Sequence, residues 1–150
     1  MPNLTVDVRV DAPPERVWRA LTDWRRQGEW MLATTVAPLD GDAQEVGGQL
    51  RALTGLRAFG LQIGIVDTMR ITAWEPPHRC TVRHTGRVIR GTAEFSVARF
   101  ACGARVSWTE SVDVPGGRVG LAAWTAIRPA VRAGIACSLR RFADFARAHP

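Results

Sequence analysis

Asp67, His84 and Glu110 are the side chains whose types and parity suit proton-transfer chemistry. Around each, apolar residues recur at every second position. Val106 and Trp108 share phase with Glu110, Cys80 and Val82 with His84, and Ile65, Met69 and Ile71 with Asp67. Successive side chains of a strand point to opposite faces, and burial makes the apolar face the inner one. All three ionisable groups are therefore expected on the inner side. A buried carboxyl group can exchange a proton with a neighbouring imidazole, as general acid–base chemistry requires. His84 and Glu110 are the candidate pair, acting on a bound carbonyl compound. The same residues equally fit a hydrogen-bonded polar contact without catalysis, and a one-residue slip of register would turn them to solvent.

Other chemistries find less support. His78, Cys80 and His84 share parity and are zinc-ligating types, but an extended chain holds His78 and His84 about 20 Å apart. Ligands of one tetrahedral site lie about 2.0–2.3 Å from the metal, so these two cannot share it. Gly-x-Ser-x-Gly, Gly-x-Gly-x-x-Gly and a P-loop are all absent from the sequence, so neither a nucleophile elbow nor a nucleotide cofactor is indicated. No cofactor and no metal are expected.

The elements that must position these residues follow from the pattern. Leu4, Val6, Val8 and Val10 alternate with polar residues, giving a half-buried first strand. Pro13-Pro14 favours a helix start, and Val17, Trp18 and Leu21 give that helix an apolar stripe. Thr22 or Asp23 is placed to cap a second short helix over Trp24 to Gln27, ended by Gly28. From Trp30 to Val114, short apolar runs punctuated by glycine and proline predict an antiparallel meander of about six strands. After Pro115-Gly116-Gly117, residues Leu121, Trp124, Ile127, Val131, Ile135, Ser138, Phe142 and Phe145 recur at helical spacing. Pro129 falls within this long helix and predicts a kink or break near Arg128. Trp18, Trp24 and Trp30 suit core or lid packing, and Trp74, just before Pro76-Pro77, suits the anchoring of a strand end.

Composition bounds the rest. The chain has 150 residues, 46% hydrophobic and 23% charged, enough for one domain with a real core and too apolar for general disorder. The net charge is 20 − 14 = +6, and because lysine is absent every one of those cations is arginine. The arginines are scattered from Arg9 to Arg147 in runs of at most two, without an RNA-binding or zinc-finger signature, so a solvated surface is expected and nucleic acid is not. The apolar C-terminal stretch is interrupted by Arg128, Pro129, Arg132 and Arg140, which excludes a membrane span. The N-terminus lacks a basic segment followed by an apolar one, so a cytoplasmic location is expected. Cys80, Cys102 and Cys137, odd in number and without CxxC spacing, suit buried thiols in a reducing compartment.

The order strand, two short helices, meander, long helix carries several characteristic strings. These are Val10-Asp11-Ala12-Pro13-Pro14-Glu15-Arg16-Val17-Trp18 with Leu21-Thr22-Asp23 and Trp30; Ile71-Thr72-Ala73-Trp74-Glu75-Pro76-Pro77-His78-Arg79; Arg105-Val106-Ser107-Trp108-Thr109-Glu110; and Ser138-Leu139-Arg140-Arg141-Phe142. Together they resemble the START-like helix-grip superfamily, in particular its polyketide cyclase/dehydrase branch of small bacterial SRPBCC proteins. The resemblance implies one such domain over residues 1–150 and an α+β fold, a curved antiparallel sheet gripping the C-terminal helix with two short helices after the first strand.

It also implies a ligand cavity between sheet and helix. Asp67, Met69, Val82, Phe95 and Trp108 would line its sheet side, and Trp124, Ile127 and Val131 its helix side. Arg128, one residue off that stripe, would hold an anionic ligand group or reach solvent with its stem packed. Three functions are compatible. The first is binding of a small hydrophobic or amphipathic ligand, polyketide- or lipid-like. The second is a polyketide cyclase or dehydratase using Glu110 and His84 for proton transfer. The third is an interaction or toxin-like module acting through its arginine-rich surface. Exposed strand edges also suit a homodimer.

Overall fold

A computed structural model describes residues 2–58, 60–87 and 89–150. Strand β1 (Asn3–Val10) leads into α1 (Pro14–Leu21) and a 3₁₀ turn (Trp24–Glu29). Strands β2 (Thr34–Pro38), β3 (Gln49–Ala58), β4 (Leu61–Glu75), β5 (Arg79–His84), β6 (Gly91–Phe100) and β7 (Gly103–Val112) follow, and α2 (Gly117–Ala148) closes the chain. The strands form one antiparallel sheet in the order β1-β7-β6-β5-β4-β3-β2. The six strands expected after the short helices are the six observed. Pro14 occupies the first turn of α1 as predicted. Neither Thr22 nor Asp23 caps the following turn; the Thr22 hydroxyl instead donates to the Trp18 carbonyl, 2.8 Å away, closing α1.

Register converts the alternation into rows that cross the inner face. One row is Val6, Trp108, Phe95, Cys80 and Trp74; the next is Leu4, Glu110, Ala93, Val82 and Ile71; a third is Val112, Gly91, His84, Met69 and Leu50. A bulge between Ile71 and Ala73 brings Trp74, which alternation from Ile71 would turn outward, into the first row. There its ring meets Trp18 at 5.1 Å and Trp24 at 6.3 Å. Trp18, Trp24 and Trp30 are all core residues. Gly55 and Gly64 face each other across β3 and β4. A Cβ at either would approach a carbonyl oxygen to 2.1 Å or 1.9 Å, so the hairpin can curl only with glycine there.

The C-terminal half of α2 fills the closed end of the curve. Ile135, Leu139, Phe142 and Ala146 are buried, Phe142 stacking on Trp30 at 4.8 Å, and Trp30 meets Trp108 edge-on at 6.4 Å. The Ser138 hydroxyl accepts from the Leu32 backbone N–H at 2.9 Å, and Arg141 donates to the Glu29 carbonyl at 3.2 Å.

Two expectations are corrected. Of the kink or break expected near Arg128, the break does not occur: α2 continues through Pro129. The helix is solvent-exposed there, so water can serve the carbonyl that the proline leaves without a donor. Only Cys80 of the three thiols is buried, its pKa pushed up to about 12 by burial. Cys102 is exposed in the tight β6–β7 turn and Cys137 is half-buried.

Candidate functional site

Beyond the aromatic row, the inner face changes character. His84 is 6% exposed at the side chain and lies between two carboxylates. Its Nδ1 is 2.7 Å from Asp67 Oδ2 and its Nε2 is 3.4 Å from Glu110 Oε2. Glu110 Oε1 accepts a third bond, from the Trp108 indole N–H at 2.9 Å. The expected inward phase of all three residues is thus realised, and the structure brings them together. The partner order differs from expectation: Asp67, expected among lining residues, makes the shorter bond to His84.

Sheet geometry explains the meeting. Asp67 is diagonal to His84 across adjacent strands, two residues from its direct partner Met69. Glu110 is two strands away, about 9.5 Å in backbone spacing, and must reach over β6. The residues it reaches over are Ala93, its own partner, and Gly91, the partner of His84. A larger side chain at Ala93 would fill the space in which carboxylate and imidazole meet. Gly91 has φ +114°, a backbone state that side chains rarely adopt, with the Ser111 carbonyl where its Cβ would be.

Electrostatics follow from this enclosure. Burial alone draws the His84 pKa down, but its hydrogen bonds to Asp67 and Glu110, with their negative charge, outweigh it and push it up to about 9. His84 is therefore an imidazolium at neutral pH, a fixed double donor and not a free base. Asp67, itself buried, keeps its second oxygen, Oδ1, without a hydrogen-bond partner. A cleft of about 720 Å³ adjoins the rim of this site, its walls including His84, Gly91, Thr92, Ser111 and Arg90.

The other expected residues divide. Val82, Phe95 and Trp108 are buried on the inner face, and Phe95 and Trp108 pack together at 5.1 Å, filling the closed end. Met69 and Val131 are partly buried against that core. Trp124 is half-buried, with an indole N–H that is buried and unpartnered. Ile127 is 54% exposed. Arg128 donates to the backbone carbonyl of Asn3 at 3.1 Å, and Arg132, four residues on, donates to that of Thr5 at 3.2 Å. Four helical residues advance about 6 Å and two strand residues about 6.7 Å, so the arginines match successive outward carbonyls of the edge strand β1. Sequence reasoning missed this pairing, and the i, i+4 spacing of the two arginines was the available signal.

Comparison with known proteins agrees with the architecture. The protein CV1439 from Chromobacterium violaceum superposes with a TM-score of 0.67 at 24% identity, covering 96% of each chain. TTHA0849 from Thermus thermophilus gives 0.75 at 15% identity, covering 98% of each. DynU16, from the dynemicin biosynthetic locus, gives 0.70 at 21% identity, covering 97% of this chain and 47% of its own. These likenesses show the fold. No curated protein matches the sequence. Residues 1–146 match the model of one family, described as polyketide cyclase / dehydrase and lipid transport. With the curved seven-stranded sheet, the long C-terminal helix and a match over nearly the whole length, the chain belongs to that polyketide cyclase / dehydrase and lipid transport family.

Proposed function

We propose that the protein binds a small amphipathic molecule, polyketide- or lipid-like, between the open end of the sheet and the N-terminal half of α2. Its polar end would lie at Asp67, His84 and Glu110. One observation carries this: the apolar inner face continues past the polar cluster, and its side chains there stand exposed among the described residues. Ile65 and Ile63 share phase with Asp67 and Met69 on β4, yet are 45% and 68% exposed. On the helix side, Leu121 and Ile127 are likewise about half exposed. Monomeric proteins rarely leave apolar side chains grouped in water without a ligand or partner to cover them.

Native mass spectrometry of the purified protein, followed by denaturing extraction, tests the proposal. A discrete co-purifying small molecule, or saturable uptake from a set of hydrophobic ligands, is expected. A protein that carries nothing and takes up nothing overturns it.

A cyclase or dehydratase activity is the second reading, favoured by the approach of His84 to Glu110. In a dehydration, Glu110 would turn from His84 to remove the proton next to a carbonyl, and the His84 Nε2–H so released would protonate the departing hydroxyl, giving an alkene and water. A Glu110→Gln variant that keeps ligand binding but loses turnover supports this reading. Unchanged turnover removes it.

A further inference from the structure

We infer that the site selects a neutral or cationic ligand head that donates a hydrogen bond, and rejects carboxylates and phosphates. This rests on the ligand-binding proposal above and narrows it to a chemical class. The reasoning is a count of protons. Both ring nitrogens of His84 face carboxylate oxygens, at 2.7 and 3.4 Å. Each such contact needs a proton between its atoms, since two lone pairs set face to face repel. Two protons on two carboxylates and one imidazole leave a net charge of −1, whichever atom carries each proton.

The hydrogen-bonding capacity of the cluster has the same sign. His84 has no N–H to spare. Glu110 Oε1 is taken by the Trp108 indole. What remains is an acceptor, Asp67 Oδ1, sealed from solvent on a residue only 5% exposed, so that a ligand group must move its cover to reach it. A hydroxyl or ammonium group satisfies it, whereas a carboxylate or phosphate sets like charges against each other in a region of reduced dielectric.

Among the described residues no arginine forms an ion pair with Asp67 or Glu110, whose charged partner is His84. Arg128, expected as an anion holder, keeps its charge but gives one N–H to the Asn3 carbonyl on the edge strand. Arg70 and Arg83 are backbone partners on β4 and β5, one position away from Met69 and His84, and Arg83 lines the adjoining cleft together with His84. Arg90 is exposed on the adjoining cleft, which Asp113 also lines.

The test is a head-group series on one chain length, decylamine, decanol and decanoate, titrated calorimetrically into the intact protein near neutral pH. Decylamine and decanol are expected to bind at least about tenfold more tightly than decanoate. Asp67→Asn and Glu110→Gln, each removing negative charge, should shrink that ratio. Decanoate binding as tightly as the other two overturns the head-group assignment and leaves the ligand site standing. Binding of none of the three removes the ligand site, and the head-group assignment with it. The wild-type series decides the matter alone, even where a variant fails to fold.

Discussion

The two halves of α2 are alike in composition and opposite in fate. From Ile135 to Ala146 the apolar side chains are sealed against the aromatic row of the sheet and against Trp30. Before Arg128, Val119 is 80% exposed and Leu121 nearly half exposed. Apolar residues recur at helical spacing in both halves, so the helix itself does not decide what is buried. The opposing surface does. Arg128 meets Asn3, which pairs with Ser111 next to Glu110, so the helix leaves the core at the level of the polar cluster. Where the sheet offers Trp108 and Phe95 the helix is clamped, and where it offers Asp67, His84 and Glu110 it is not.

The largest effect that would break this comparison is expected at Phe142. Phe142→Ala removes a ring stacked on Trp30 and should cost about 3–5 kcal/mol in urea denaturation. A cost below about 1 kcal/mol would mean that the closed end is not tightly packed. Next comes pH. The His84 pKa is raised from 6.5 to about 9, so its contribution is complete below about 6.5 and fades as pH rises through about 9. The loss is on the order of 3 kcal/mol across that window, read as a falling denaturation midpoint. A His84→Gln variant should show a flatter profile there, and equal slopes would contradict the buried imidazolium. Ser138→Ala, which strips the Leu32 N–H of its acceptor, should cost about 1 kcal/mol. Smallest is Leu121→Ala on the exposed half, expected within about 0.5 kcal/mol of wild type while weakening uptake of an apolar ligand. A large stability loss there would show that this half is packed after all.

Much of the architecture was legible because strand alternation and helical spacing are local. Parity alone put Asp67, His84 and Glu110 on one face. Which of them would touch was not legible, since that depends on register across β4, β5, β6 and β7, set jointly by several hairpins. The small residue Ala93 makes sense as a spacer only once Glu110 is known to lie opposite it. The inward turn of Trp74 was hidden by a bulge that breaks the period-two count on which strand reading relies. The Arg128 contact was hidden for a related reason. Its partner is a backbone carbonyl of the first strand, 125 residues away in sequence, and main-chain acceptors leave no mark in a side-chain pattern.

The bonds from Arg128 and Arg132 to β1 fasten the long helix along one margin of the sheet, and the described residues give no matching tie between its free end and β3 or β4. Beyond its buried half the helix is therefore held, among the described residues, by a seam along β1. The same two bonds occupy outward carbonyls of the edge strand, so the contact that holds the helix also leaves that strand fewer acceptors for stray pairing.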